Sequence, residues 1–232
     1  NVVIQGGANI IGEVYSGDGV CALSVGEEGL NKSLSVSIWD GKFYVDRDVE
    51  DGNHDHGIWV NNDCGLRIYG GAFDGIQLNR YAADDLSEYI QNGCVMTING
   101  AKVNPANYST IDGRIAEAHT EIYKAAIHVN SPSAGETPTT YIGDIYLVPE
   151  GCNAESIVWY ENGVQWNDID FGNAHFEAGN TYKVEIVLTA DNGVKFANPL
   201  TSTTINYKKA DVSAYKGNLE KGIVLSVDFG AC

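Results

Sequence analysis

The most charged stretch of the chain runs from Asp46 to His56 and holds Asp46, Asp48, Glu50, Asp51, Asn53, His54, Asp55 and His56. Calcium takes about six to eight oxygen ligands, and this stretch offers many carboxylate and amide oxygens. The glycine and terminal glutamate of an EF-hand loop are not in place. The candidate calcium ligands are therefore Asp46, Asp48, Glu50, Asp51, Asn53 and Asp55, against the alternative of a solvated insertion between strands. By strand alternation His54 and His56 share one side and invite a transition metal, but no third ligand stands near them.

A second chemistry lies in the aromatic residues. Trp39 and Tyr69 each precede a glycine corner, Asp40-Gly41 and Gly70-Gly71, as Gln5 precedes Gly6-Gly7. If these three segments stack at the ~4.8 Å of neighbouring strands, Gln5, Trp39 and Tyr69 form an outward ladder, with Tyr44 and Trp59 extending it. Such a face is a candidate polysaccharide platform. The alternative is that the rings pack under a loop or against a subunit.

Catalytic chemistry finds little to stand on. There is no Gly-x-Ser-x-Gly elbow, no HExxH and no phosphate-cradling loop. Asp74 with Asp84 or Asp85 is the carboxylate pair to weigh for glycoside cleavage, yet three repeat units are too few for a long substrate cleft. No catalytic residue is assigned, and the expectation is a protein that is not an enzyme and holds no cofactor beyond, at most, calcium.

The five cysteines are Cys21, Cys64, Cys94, Cys152 and Cys232, and no CxxC pair argues for structural zinc. Cys152 and Cys232 flank the second half of the chain, so a bridge between them is expected. It would close a long loop, worth about 3–5 kcal/mol. Cys64 and Cys94 form a second candidate pair, which leaves Cys21 as a buried thiol.

The elements that must position these residues begin with a repeat. Val2-Val3-Ile4-Gln5-Gly6-Gly7, Val36-Ser37-Ile38-Trp39-Asp40-Gly41 and Leu66-Arg67-Ile68-Tyr69-Gly70-Gly71 align, with corners 34 and 30 residues apart. Lys42-Phe43 and Ala72-Phe73 continue the last two copies. Each unit is a short strand, a glycine corner and another strand, and cannot bury its apolar face alone. Stacking would place Ile4, Ile38 and Ile68 in one inward ladder, with Val2, Val36 and Leu66 beside it and Phe43 on Phe73. This reads as a short right-handed parallel β-solenoid over 1–105. The alternative is an antiparallel sandwich with chance similarity.

Residues 83–92 follow helical spacing, with Asp84 and Asp85 at the start, Leu86, Tyr89 and Ile90 on one face and Gly93 at the end, so a cap helix is expected there. Residues 106–120 read as a linker. From 121 to 232 only strands are expected: 125–130, 144–148, 156–160, 181–189, 203–207 and 222–229. Turn signals at Glu161-Asn162-Gly163 and Asp191-Asn192-Gly193 separate them. Many short strands in about 105 residues suggest an immunoglobulin-like β-sandwich. The fold class is all-β.

Ser131 to Pro138, Val158-Trp159-Tyr160, Phe176 to Tyr182 and Gly193 to Phe196 resemble a repeat domain of large secreted and cell-surface proteins of anaerobic bacteria. The strand-Gly-Gly-x-Phe units resemble repeats of the same proteins. The resemblance implies secretion or display on a bacterial cell surface. It implies no catalytic residues.

Composition agrees with that setting. The chain has 31 acidic and 14 basic residues, for a net charge of −17. Nucleic acid needs clustered cations to displace its counterions, so it is excluded as a partner. No apolar run is long enough for a membrane-spanning helix. The chain opens on Asn1 rather than Met, which suggests a processed or excised product. Its first strand, Val2, Val3 and Ile4, has no expected cover and is the candidate assembly edge. The expected partners are copies of itself or adjacent modules of a longer chain, in head-to-tail stacking that builds a filament. The alternative function is a carbohydrate-binding module.

Overall fold

The computed structural model describes residues 2–5, 8–13, 21–26, 35–46, 56–61, 65–78, 82–166 and 174–232. The chain is built of strands, and it divides into two compact units, Asn1–Glu121 and Ile122–Cys232. Among the described residues no helix is long and apolar enough to cross a membrane.

The first unit contains β1 (Val2–Ile4), β2 (Asn9–Glu13), β3 (Cys21–Val25), β4 (Ser35–Ile38), β5 (Lys42–Asp46), β6 (His56–Val60), β7 (Gly65–Ile68), β8 (Gly71–Leu78), β9 (Cys94–Ile98), β10 (Ala101–Val103) and β11 (Thr110–Ile122). Strands β1, β4 and β7 run parallel in one sheet, with Val2 opposite Val36 and Val36 opposite Leu66, and with Ile4, Ile38 and Ile68 aligned likewise. Strand β2 pairs in parallel with β5, and β5 with the first half of β8, so Phe43 faces Phe73. Strand β3 pairs with β6, and β6 with the second half of β8, aligning Leu23, Ile58 and Ile76 only pairwise along the ladder: Leu23 with Ile58, then Ile58 with Ile76.

Alternation explains the core. In β4 Val36 and Ile38 are buried while Ser35 and Ser37 are less so, as a period of two requires. Phe43 and Phe73 stack with ring centroids 5.2 Å apart. Gly71 has φ of +127°, a conformation that a side chain rarely adopts, and it makes the corner into β8. Gly57 answers a different need. A Cβ there would run into the carbonyl oxygen of Phe43 and would lie 2.9 Å from the nitrogen of Asp74, so β6 passes two backbones too closely for any side chain.

One end of the parallel stack is closed. Strand β11 lies antiparallel between β8 and β9, with Ala116 opposite both Phe73 and Ile98. The expected linker at 106–120 is therefore mostly strand, because Ala116 and Ala118 bury their small side chains against that core. The expected cap helix over 83–92 is a single 3-10 turn, Leu86–Glu88. The helical spacing is overridden by pairing with β7. Ile90 bridges Ile68 in parallel, Ile68 N–H donates to Tyr89 O, and Gln91 N–H donates to Ile68 O. Leu86 at the start of the turn, Tyr89 just after it and Ile90 at the bridge are still buried together.

The second unit contains β12 (Lys124–Ile127), β13 (Cys152–Glu161), β14 (Val164–Gln165), β15 (Thr181–Ala190), β16 (Val194–Phe196), β17 (Ser202–Ile205), β18 (Lys208–Lys209), β19 (Asp211–Ala214) and β20 (Gly222–Ala231). A small sheet has the order β12-β17-β18 and a larger one β14-β13-β15-β20-β19. Tyr182, Val184, Ile186 and Leu188 bury one face of β15, and Ile223, Leu225 and Val227 do the same for β20. Trp159 is buried at the centre, edge-on to Phe176, and its indole N–H donates to Thr139 O at 2.8 Å. The strand expected at 144–148 is absent. A 3-10 turn, Ile142–Asp144, occupies its start, only Tyr146 bridges, to His128, and Leu147 at φ +61° breaks the extended run.

Candidate functional site

The aromatic ladder is the expectation that the structure assembles most clearly, and only in part. Trp39 N–H donates to Ile4 O, and Tyr69 N–H donates to Ile38 O, so each corner hangs from the level before it. The rings of Trp39 and Tyr69 consequently lie face to face, with centroids 3.8 Å apart and planes 2° from parallel. Gln5 is exposed at the corresponding position of the first level, and Trp39 is 47% exposed. Tyr44 stands elsewhere, on β5 opposite Ile11, and Trp59 on β6 between Ser24 and Gln77. The Trp59 indole nitrogen is buried and finds no acceptor among the described residues. The five residues thus belong to three different ladders of strands. Stacking covers one face of each ring of the pair, and Trp39 is left 47% exposed.

The acidic stretch is another matter. Asp48, Glu50, Asp51, Asn53 and Asp55 lie outside the described residues, with His54, and Asp46 ends β5 with its side chain outside them too. His56 is buried opposite Cys21. Among the described residues no three His, Cys, Asp or Glu side chains converge as metal ligands. Asp85 caps the 3-10 turn, accepting from Ser87 N–H at 2.8 Å, while Asp74 sits in β8 opposite Ile115.

Strand register corrects the expected disulfide. Cys152 lies opposite Ala190, at one end of β15, whereas Cys232 N–H donates to Asn180 O at the other. Ten strand residues at about 3.3 Å each separate those ends by ~30 Å, against the ~7 Å that two bridged Cα atoms tolerate. Both are free thiols. Cys152 Sγ donates to Pro149 O, and burial, helped by the Asp191 charge, pushes its thiol up to about 11. Cys94 is free as well, donating to Tyr69 O at 3.2 Å, and its intended partner Cys64 lies outside the described residues.

The expected assembly edge, Val2, Val3 and Ile4, lies on the outer level of the parallel stack. Strands β1, β2 and β3 each have one partner strand among the described residues. Val2, Val3 and Ile11 are 45%, 58% and 47% exposed on that outer level, while Ile4 is half-buried.

One surface was not singled out from the sequence. On the outer face of the small sheet, Ala126, Thr204 and Lys209 form a row across β12, β17 and β18. In the next row His128 exchanges two backbone hydrogen bonds with Tyr146, at 2.9 and 3.0 Å, which puts their side chains on the same side. The ring of Tyr207 meets His128 edge-on at 4.5 Å. Tyr146 is 65% exposed and Tyr207 85%. The available signal was the two-residue hairpin Asn206-Tyr207, which carries tyrosine where glycine is favoured.

Comparison with family models finds no match for this chain, and comparisons with curated proteins and with solved structures find none either.

Proposed function

We propose that this chain is a non-catalytic structural and adhesive module of a secreted or surface-displayed bacterial protein. In this reading the first unit is a short right-handed parallel β-solenoid and the second an immunoglobulin-like sandwich. The observation that carries the reading is the asymmetry of the parallel stack. Its far end is sealed by β11 and by the Ile68–Ile90 bridge, while β1 and β2 keep an edge with no partner strand among the described residues, flanked by exposed Val2, Val3 and Ile11. Unpaired strand edges template further pairing unless they are blocked. The bare edge accepts another level, supplied by an adjacent module of a longer polypeptide or by a second copy. Because the far end is sealed, head-to-tail growth between copies requires the receiving surface on the second unit of the next copy, a heterologous contact that does not close on itself.

Sedimentation velocity over a wide concentration range tests this. Assembly should appear as concentration rises, and Val3→Lys, which places a charge on the edge, should abolish it. A monomer at all concentrations, or assembly indifferent to Val3→Lys, removes self-assembly through this edge.

A second reading, a carbohydrate-binding module, draws on the half-exposed outer face of Trp39 above exposed Gln5. Sugars stack on ring faces, and the parallel Trp39–Tyr69 pair leaves room for one ring rather than a chain along the ladder. Glycan-array binding lost in Trp39→Ala supports it, and equal binding by both proteins refutes it.

A further inference from the structure

We propose that the outer face of the small sheet in the second unit is a binding site for an acidic, uronate-bearing polysaccharide. Three independent observations converge on this face.

The first is backbone strain coupled to exposure. Tyr207 has φ of +64° and Leu147 of +61°, and both are bulky residues in a region where side chains are disfavoured. Both are also largely exposed, at 85% and 67%. Strain that gains no burial is found at functional sites, where it aims a side chain. The strain is held in place. Asn206 Oδ1 accepts from Val129 N–H, and its Nδ2 donates to Val129 O and Ser131 Oγ, all within 2.9 Å. This clamp fixes the turn and projects Tyr207 into solvent.

The second is the arrangement. Tyr146 and Tyr207 stand on either side of His128, next to a low row made by Ala126, Thr204 and Lys209. A pyranose ring has a flat C–H face that stacks on an electron-rich aromatic ring, and hydroxyls that need polar partners. The tyrosines offer the first, and the Thr204 hydroxyl, the Lys209 ammonium and the His128 imidazole offer the second.

The third is charge. The chain carries −17 overall, yet residues 122–135 and 192–210 hold none of its 31 acidic residues. The same two segments hold Lys124, Lys195, Lys208 and Lys209. Strand alternation puts Lys124 with Ala126 and His128 on the outer face, and Lys209 lies opposite Thr204 there. Lys208 is engaged elsewhere, donating to Phe229 O, and Lys195 pairs with Glu220 at 3.2 Å. Lys124 and Lys209 pair with no carboxylate among the described residues. The segment that supplies Tyr146 carries Asp144 and Glu150, and Asp211 follows β18; none of the three lies on β12, β17 or β18. A local cationic face on an acidic protein selects anionic ligands, and with stacking rings beside it the anion that fits is a sugar carboxylate.

The proposal does not depend on how the first unit assembles. Calorimetric titration of the full chain with a galacturonate hexamer, a neutral galactose hexamer and polyglutamate tests it. The galacturonate hexamer should bind at least about tenfold more tightly than the neutral one, and the affinity should fall with added salt. Tyr207→Gly should weaken binding about tenfold or more while its melting temperature stays equal or rises, because glycine relieves the turn. Lys124→Gln with Lys209→Gln should weaken binding and remove the salt dependence. Absence of uronate binding, equal binding of the neutral hexamer, or full binding by Tyr207→Gly overturns the proposal. Polyglutamate binding without uronate binding also overturns it, in favour of an acidic peptide.

Discussion

Replacing Gly57 by alanine adds one methyl group to the first unit, and the structure states what it would hit. The new Cβ would overlap the Phe43 carbonyl oxygen of β5 and lie 2.9 Å from the Asp74 nitrogen of β8. Neither obstacle is a side chain that can rotate away. Both are backbone atoms held in the β5–β8 ladder, so relief requires β6 to move off its partner and loosen the Ile58–Ile76 contact. Overpacking of this kind costs about 1–3 kcal/mol, and a rigid backbone obstacle places it near ~3. Gly93→Ala is the control. It meets nothing within 4 Å, and only its φ of +90° resists a side chain, for a cost of about 1 kcal/mol. Urea unfolding followed through near-ultraviolet circular dichroism, with calorimetry to separate the two units, reads the difference. A Gly57→Ala protein within about 0.5 kcal/mol of the parent refutes the close approach of β6 to the β5–β8 ladder.

Three further outcomes are expected. Asn206→Ala should cost about 2–3 kcal/mol in chemical denaturation of the second unit, since it strips partners from the buried Val129 backbone and puts alanine at φ +50°; a cost below about 1 kcal/mol counts against the clamp. Lys183, donating at 2.7 Å, holds the Glu185 carboxylate below its ordinary value, and Tyr160 O–H donates to it as well. A carboxyl lowered by folding adds stability above its unfolded pKa, and this is lost as pH falls through the folded one. Glu185→Gln should therefore flatten the acid side of the stability profile, by less than ~1 kcal/mol because the pair is partly exposed, and unchanged slopes would refute the pairing. Alkylation of the unfolded, non-reduced chain should label both Cys152 and Cys232, whereas the native Cys152 thiol, raised to about 11, should react slowly at neutral pH. Mass spectrometry finding these two cysteines joined would break the strand register of the larger sheet.

The parts legible in the sequence are those carried by local pattern. Period-two alternation in Tyr182 to Leu188 and Ile223 to Val227 identified their strands, because each buries one face whatever the partner. The repeat alignment of Ile4, Ile38 and Ile68 became their register in the parallel sheet, since equivalent units stack equivalent residues. The stacking of Phe43 on Phe73 and of Trp39 on Tyr69 follows from the same alignment. Of the candidate site the Gln5, Trp39 and Tyr69 positions were legible, while Tyr44 and Trp59 stand on other ladders and the ring orientation was not legible at all. Sequence placed Trp39 above Tyr69, and only coordinates show planes 2° from parallel, which covers the faces that a sugar platform needs.

What the tertiary structure alone decided are questions of non-local competition and distance. Residues 83–92 have helical spacing, yet pairing of Ile90 with Ile68 leaves a single 3-10 turn, because strand hydrogen bonds to β7 outweigh a marginal isolated helix. Residues 106–120 look like a linker until Ala116 and Ala118 are seen between β8 and β9. Cys152 and Cys232 sit at fixed chain positions, but their separation depends on which end of β15 each strand meets. The face bearing Tyr146, His128 and Tyr207 draws on three segments up to 79 residues apart in number, from 128 to 207. Alternation and repeats act through neighbours in sequence, so the chain alone specified the repeated strands with their stacking order and the alternating strands β15 and β20. Register between distant segments, and the plane in which a ring finally rests, is set by packing that no single segment contains.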